Sequence, residues 1–304
     1  MGAPLLFLLA GCASAPAAST SGDRESGGVR TGRTAETCTV SPGSADDADR
    51  DGTDDGCEHA LAAAFAPLLV LDDTECGWDA SVPPGRVGGE YLYAVQGSER
   101  GRVRIAYLPA YYRDCGWRLP VCRLTPWLCR PHAGDSELIV VEVAPAGGDR
   151  WRAERVFLSA HCHGRSAGWC RWYSGSELDG FGWVDGAARG APVVWVASGK
   201  HGGYPSPAAC GAGHWGYDGC GRNRVSRRYP VLSRRQNVGS RAVPFPYAGG
   251  KECIGREAVG WGSALPAPGA VECFWDPAAA FRGWQSGAGG GATAYGRQLR
   301  DLGF

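Results

Sequence analysis

The chain has 304 residues and 44% hydrophobic content, enough for one large or two small domains around a real core. Its 48 glycines and 20 prolines favour many turns and short strands over long helices. Basic and acidic side chains balance at 31 each, which excludes a global field that would recruit nucleic acid.

In chain order, the first signal is Leu9, Ala10, Gly11 and Cys12, a bacterial lipobox pattern after a short apolar stretch. Residues 1–11 read as a signal peptide and Cys12 as the lipid-bearing first residue of an exported protein anchored to the bacterial cell envelope. Setting Cys12 aside leaves an even number of the 13 cysteines, which fits an oxidising compartment and disulfide pairing. Residues 12–45 are small and polar and read as a flexible tether.

Residues 46–66 read as a calcium loop followed by a short helix. Asp47, Asp49, Asp51, Gly52 and Glu58 fit the D-x-D-x-D-G-x5-E template at every fixed position. The three aspartates would give side-chain oxygens, Thr53 its carbonyl, Asp55 the ninth position and Glu58 a bidentate carboxylate. A helix over 58–65 should follow, stopped by Pro67. No entering helix precedes the loop, so it resembles the half EF-hands of dockerin and thrombospondin type-3 repeats, a structural joint rather than a sensor. The alternative is an acidic, solvated linker.

Residues 67–285 read as the main domain. An apolar strand opens it at 67–73, and alternating runs at 90–95 and 102–108 form a hairpin by pattern. The most informative stretch is 131–143. From Ser136 on it reads as a strand, and alternation would set Asp135, Glu137, Ile139, Val141 and Val143 on one side. Two carboxylates, about 7 Å apart along the strand, would head an apolar face, which is costly unless a cation or donor satisfies them. His132 lies in a turn just upstream, giving a His-x-x-Asp-x-Glu metal site of His132, Asp135 and Glu137. The plain alternative pairs Asp135 or Glu137 with an arginine.

His-Ala-Gly-Asp-Ser-Glu at 132–137 resembles the His-x-Gly-Asp-Trp-Glu signature of the vacuolar protein sorting-associated protein 62 family. It is also similar to the Gly-His-Arg-His-Asp-Trp-Glu heptapeptide of necrosis- and ethylene-inducing-like cytolysins, with Ser136 replacing Trp. In those cytolysins the matching residues and an upstream Asp hold a divalent cation on a β-sandwich; by that resemblance Asp114 would be a fourth ligand. The 65–73 and 192–205 stretches and Asn237-Val-Gly also resemble the sorting-62-like group, which implies that His201 and one of His161 and His163 lie near the site. Cys162, between those two histidines, reads as bridged, Cys170 being one candidate partner, rather than as a zinc thiolate.

Residues 219–251 hold seven arginines and no acid, either an anionic-ligand patch or, with more weight, ordinary pairing partners and a solvated loop. Asp276 and Pro277 predict the start of a short helix, and 286–304 a loose tail.

The expected fold is mainly β, a disulfide-rich antiparallel sandwich with a few short helices. The expected function is binding of an anionic, glycan or glycolipid ligand through a divalent cation, Mg or Ca ahead of Zn or Mn. The alternatives are a metal-dependent hydrolase with His161, His163 or His201 as base, and a structural surface lipoprotein.

Overall fold

The computed structural model describes residues 28–41, 44–47, 51–73, 92–98, 101–114, 116, 132–162, 167–213, 218–231, 237 and 302. The strands are β1 (Val29–Arg30), β2 (Leu68–Asp72), β3 (Leu92–Ser98), β4 (Arg102–Leu108), β5 (Ala110–Asp114), β6 (His132–Ser136), β7 (Ile139–Pro145), β8 (Arg150–Leu158), β9 (Arg171–Ser174), β10 (Gly182–Trp183), β11 (Pro192–Val196), β12 (Gly203–Tyr204) and β13 (Asn223–Arg228). The α-helices are short: α1 (Ala35–Cys38), α2 (Asp55–Ala64) and α3 (Pro207–Gly211). The chain is therefore mainly β, as expected.

The larger sheet runs β1-β8-β7-β4-β3 with β9 also on β8; the second runs β10-β11-β2-β13 with β12 on β11; β5 and β6 pair alone. Among the strands named, every pairing is antiparallel except that of β11 with β2, where Val193, Val194 and Trp195 run parallel to Leu68, Leu69 and Val70. That pair departs from the antiparallel expectation. Hairpin turns impose antiparallel order only on neighbours in sequence, and β3, β4, β7, β8 and β9 of the larger sheet intervene between β2 and β11.

One apolar cluster joins both sheets and α2. It takes Tyr93, Ile105, Val141, Val156 and Leu158 from the larger sheet, Leu69, Leu71, Val194 and Val196 from the second, and Leu61 and Phe65 from α2. The Tyr107 hydroxyl donates to the Ala62 carbonyl at 2.8 Å, tying β4 to the helix without leaving a buried hydroxyl unpaired.

Several boundaries differ from the sequence expectation, each for a local reason. The helix begins at Asp55 rather than 58, because Asp54 caps it by accepting from the Cys57 N–H at 2.8 Å. Residues 28–41, expected within the tether, are folded. β1 pairs with β8, and α1 carries a Thr34–Thr37 capping box. The expected strand from Ser136 onward is two strands. It breaks at Glu137 and Leu138, where the Leu138 N–H donates to Ser159 Oγ at 2.7 Å and the Ser159 N–H donates to the Leu138 carbonyl at 3.1 Å. The chain changes partner there, from β5 to β4 and β8.

Among the described residues three disulfides form, Cys38–Cys57, Cys162–Cys170 and Cys210–Cys220. The middle one is the candidate pairing read from the sequence. Arg228, from the arginine-rich stretch, donates to the carbonyls of Ala63, Ala64 and Ala66, so it serves as the C-terminal cap of α2. The helix predicted at Asp276 lies outside the described residues.

Candidate functional site

Two regions hold the residues singled out by sequence. The first is the acidic loop. Asp47, Thr53, Asp55 and Glu58 are all buried. The Asp47 carboxylate accepts from the N–H groups of Asp51 and Gly52, both at 3.1 Å, wrapping the loop around it. Gly52 takes φ +88°, the sharp turn expected of it and a conformation open chiefly to glycine. Asp51 accepts from Thr53 N–H at 2.7 Å and from Gly97 N–H at 2.5 Å, so the loop grips β3. Burial raises the Asp51 carboxyl above the usual range despite those hydrogen bonds, and the nearby Asp47 charge adds to the rise. Glu58 accepts from Asn237 Nδ2 at 2.7 Å, and Asn237 is itself bridged to Tyr93. Asp49 and Cys12 lie outside the described residues.

The second region is the end of β7 and β8. Of the proposed cation ligands, His132, Asp135 and Asp114 are described in their backbone. The register sets Asp114 opposite His132 and Tyr111 opposite Asp135 in the β5–β6 pair. His132 is thus the first residue of a strand rather than part of a preceding turn. Glu137 sits at the break after β6, where its carboxylate accepts from the Ser159 hydroxyl.

Two residues beyond Ser159, His161 takes φ +52°, an uncommon conformation for a residue with a Cβ. Its Nε2 lies 2.5 Å from Asp218 Oδ2. The Tyr204 hydroxyl donates to the same oxygen at 2.5 Å. Asp218 is buried, and among the described residues its Oδ1 has no hydrogen-bond partner. Burial pushes the Tyr204 hydroxyl pKa far up; the Asp218 charge and hydrogen bond, then the Glu137 charge, push it the same way.

His201 is wholly buried, with φ +57°. The next residue, Gly202, is close enough that a Cβ there would meet Ala160 at 3.4 Å, so the turns carrying His161 and His201 are packed together. Two disulfides brace this end: Cys162–Cys170 beside His161, and Cys210–Cys220 beside Asp218. His163 lies outside the described residues.

The structure thus gathers Glu137, His161 and the turn of His201, and adds Ser159, Tyr204 and Asp218, which sequence reasoning missed as site residues. Tyr204 stood inside a quoted motif, but nothing marked its hydroxyl. Asp218 sits in a glycine-flanked turn whose only signal was the neighbouring Cys220. Among the described residues, no three His, Cys, Asp or Glu side chains stand in metal-binding geometry. No family model, curated protein or solved structure matches the chain, so the resemblances rest on the short motifs quoted above.

Proposed function

We propose that this is an exported protein, anchored to the bacterial envelope through a lipidated Cys12, whose two sheets form a sandwich. The sandwich holds a divalent cation and presents it to an anionic or glycan ligand. The observation that supports this reading is the buried Asp218 carboxylate holding His161 and Tyr204, with Glu137 hydrogen-bonded to Ser159 two residues before His161. Negative charge concentrated away from bulk water favours a cation, and oxygen and imidazole donors suit one. The three disulfides fit an exported location.

A second ion, Ca2+, occupies the loop of Asp47, Asp49, Asp51, Thr53, Asp55 and Glu58 in this reading. The donors are all oxygen, the Gly52 turn fits, and the loop is clasped to β3, so the ion acts as a clip between the N-terminal segment and the sheets.

The test is metal analysis of the dialysed protein, followed by binding to a glycan array and to anionic phosphatidylglycerol vesicles with and without EDTA. The expected result is two ions per chain, one lost in Glu137→Gln, with ligand retention abolished by EDTA. Binding that persists unchanged in EDTA would remove the reading.

A hydrolase is the second reading, favoured by the His161–Asp218 hydrogen bond, which is how a general base is oriented. It requires release of p-nitrophenol from p-nitrophenyl esters or phosphates that stops in His161→Gln. A protein that binds no ligand and turns over none of these is left with the structural lipoprotein reading.

A further inference from the structure

A polar row crosses the larger sheet on the face turned away from the core. Gln96 lies opposite Arg104, Arg104 opposite Glu142, Glu142 opposite Arg155 and Arg155 opposite Ser174. Beside it runs an apolar row of Ala94, Ala106, Val140, Phe157 and Trp172, of which the first four are buried. The polar row therefore borders a water-poor surface, where charge is screened less than in bulk solvent.

The guanidiniums of Arg102, Arg104 and Arg155 converge on the one Glu142 carboxylate, which is 1% exposed. Among the described residues no second acid pairs with these three arginines, since Glu154, the other acid of β8, is taken by Arg152. Two positive charges are thus left in excess. Arg104 spends Nη1 on a neutral acceptor, the Leu302 carbonyl at 2.8 Å, which cancels none of it. Nε and Nη2 of Arg102, Nη2 of Arg104 and Nη1 of Arg155 bond no described residue. The three side chains are 38%, 26% and 33% exposed, so these donors are open to a ligand.

We propose that Arg102, Arg104 and Arg155 bind a phosphomonoester dianion, with Glu142 as the positioning residue that gathers them. A planar carboxylate is served by one guanidinium fork, whereas donors from three side chains suit an anion with oxygens in several directions. A phosphomonoester carries about −1.5 to −2 charge at neutral pH, which matches the excess; a diester, lacking the second ionisation, does not. The Glu142 fork and the stack on Trp172, 4.4 Å from the ring centroid, fix Arg155 in advance, so little ordering is left for binding to supply. The phosphate is free, borne on a sugar or borne on a lipid headgroup. The site needs no metal and does not depend on the cation reading above.

The experiment titrates the disulfide-intact full chain, in EDTA and at low ionic strength, with inorganic phosphate, glucose 6-phosphate and dimethyl phosphate by calorimetry. Sedimentation with phosphatidic acid and with phosphatidylglycerol vesicles runs in parallel, and arginine 1H–15Nε spectra locate the site. The expected result is one phosphomonoester per chain, with the Arg102 and Arg104 resonances moving. Dimethyl phosphate should bind at least about tenfold more weakly, because it offers fewer charge-assisted acceptors. Arg102→Ala removes a half-exposed side chain with a single 3.5 Å contact to the protein, so the fold should survive while phosphate binding weakens about tenfold. Arg102→Lys, which keeps the charge without the fork, should fall between. Uptake of glucose 6-phosphate assigns the phosphate to a soluble or sugar-borne ligand; retention confined to phosphatidic acid vesicles assigns it to a lipid, and either supports the site.

Failure of the unmutated protein to bind any phosphomonoester would overturn the proposal, as would dimethyl phosphate bound as tightly as phosphate; neither result needs a variant to fold. Unchanged phosphate affinity in Arg102→Ala would overturn it as well. Because every titration is made in EDTA, failure here leaves the cation reading untouched, and loss of that reading leaves this site standing.

Discussion

In the middle of β7 the buried Glu142 carboxylate accepts from Arg104 Nε at 2.9 Å and from Arg155 Nε and Nη2 at 3.0 and 2.7 Å, with Arg102 at 3.5 Å. Arg155 also stacks over Trp172, 4.4 Å from the ring centroid. Past the end of β8, Asp218 is also buried but accepts from the imidazole of His161 and the phenol of Tyr204, both on one oxygen. Guanidinium forks match a carboxylate's two oxygens and carry permanent charge, so the Glu142 carboxylate is fully satisfied and its charge more than offset. Around Asp218 one oxygen has no hydrogen-bond partner among the described residues, and the other holds a histidine, the side chain most easily turned to proton or metal chemistry. The same residue class is therefore locked by fixed positive charge in one place and held by an imidazole and a phenol in the other, and the partners make the difference.

Four substitutions and a pH series test that contrast. Glu142→Ala should have the largest effect. Breaking a buried ion pair costs about 3–5 kcal/mol, reduced here to about 2 kcal/mol because the guanidiniums are a quarter to a third exposed. Urea unfolding reads it, and ligand binding at the far end should survive. Gly213→Ala comes next: a methyl there would overlap the Tyr204 hydroxyl and ring. The loss should be about 1–3 kcal/mol, and, unlike the first change, it should reach the cation site. An unperturbed His161 resonance in Gly213→Ala would contradict the close packing of this end.

Tyr204→Phe, which removes one donor to a buried carboxylate, should cost about 1 kcal/mol. The smallest effect is a matter of pH. Burial pushes Glu142 up, but hydrogen bonds from Arg155 and Arg104, with their charges, hold it below the usual carboxylate range. Its contribution is thus fully present above the unfolded value of about 4.3 and lost as pH falls through the lower folded value. Glu142→Gln should flatten the acid limb of the stability curve; a limb as steep as wild type would assign it to other groups.

Much of the fold was legible in local pattern. The apolar run of β2, the alternation of β3 and β4, the β11 run and the Cys162–Cys170 bridge all depend on residues close in sequence, where spacing carries the information. The acidic loop was legible in the same way, since its template is contiguous and its Gly52 turn is local. The break at Glu137–Leu138 was not legible, because it is made by Ser159 from the next strand but one position past its end. Folding of 28–41 was hidden too. Those residues have the composition of a tether, and only the β8 edge and the disulfide to Cys57 give them a place.

What the sequence determined by itself was the class of the molecule: β-rich, cysteine-braced, with acids and histidines at recognisable spacings, because strand alternation, turn chemistry and ligand templates act over a few residues. What only the tertiary structure decided was which of those groups meet. Asp218 reaches His161 across 57 residues of chain. No short-range rule couples positions so far apart, and the pairing exists because two turns at the same end of packed sheets leave a buried carboxylate nowhere else to find its donors.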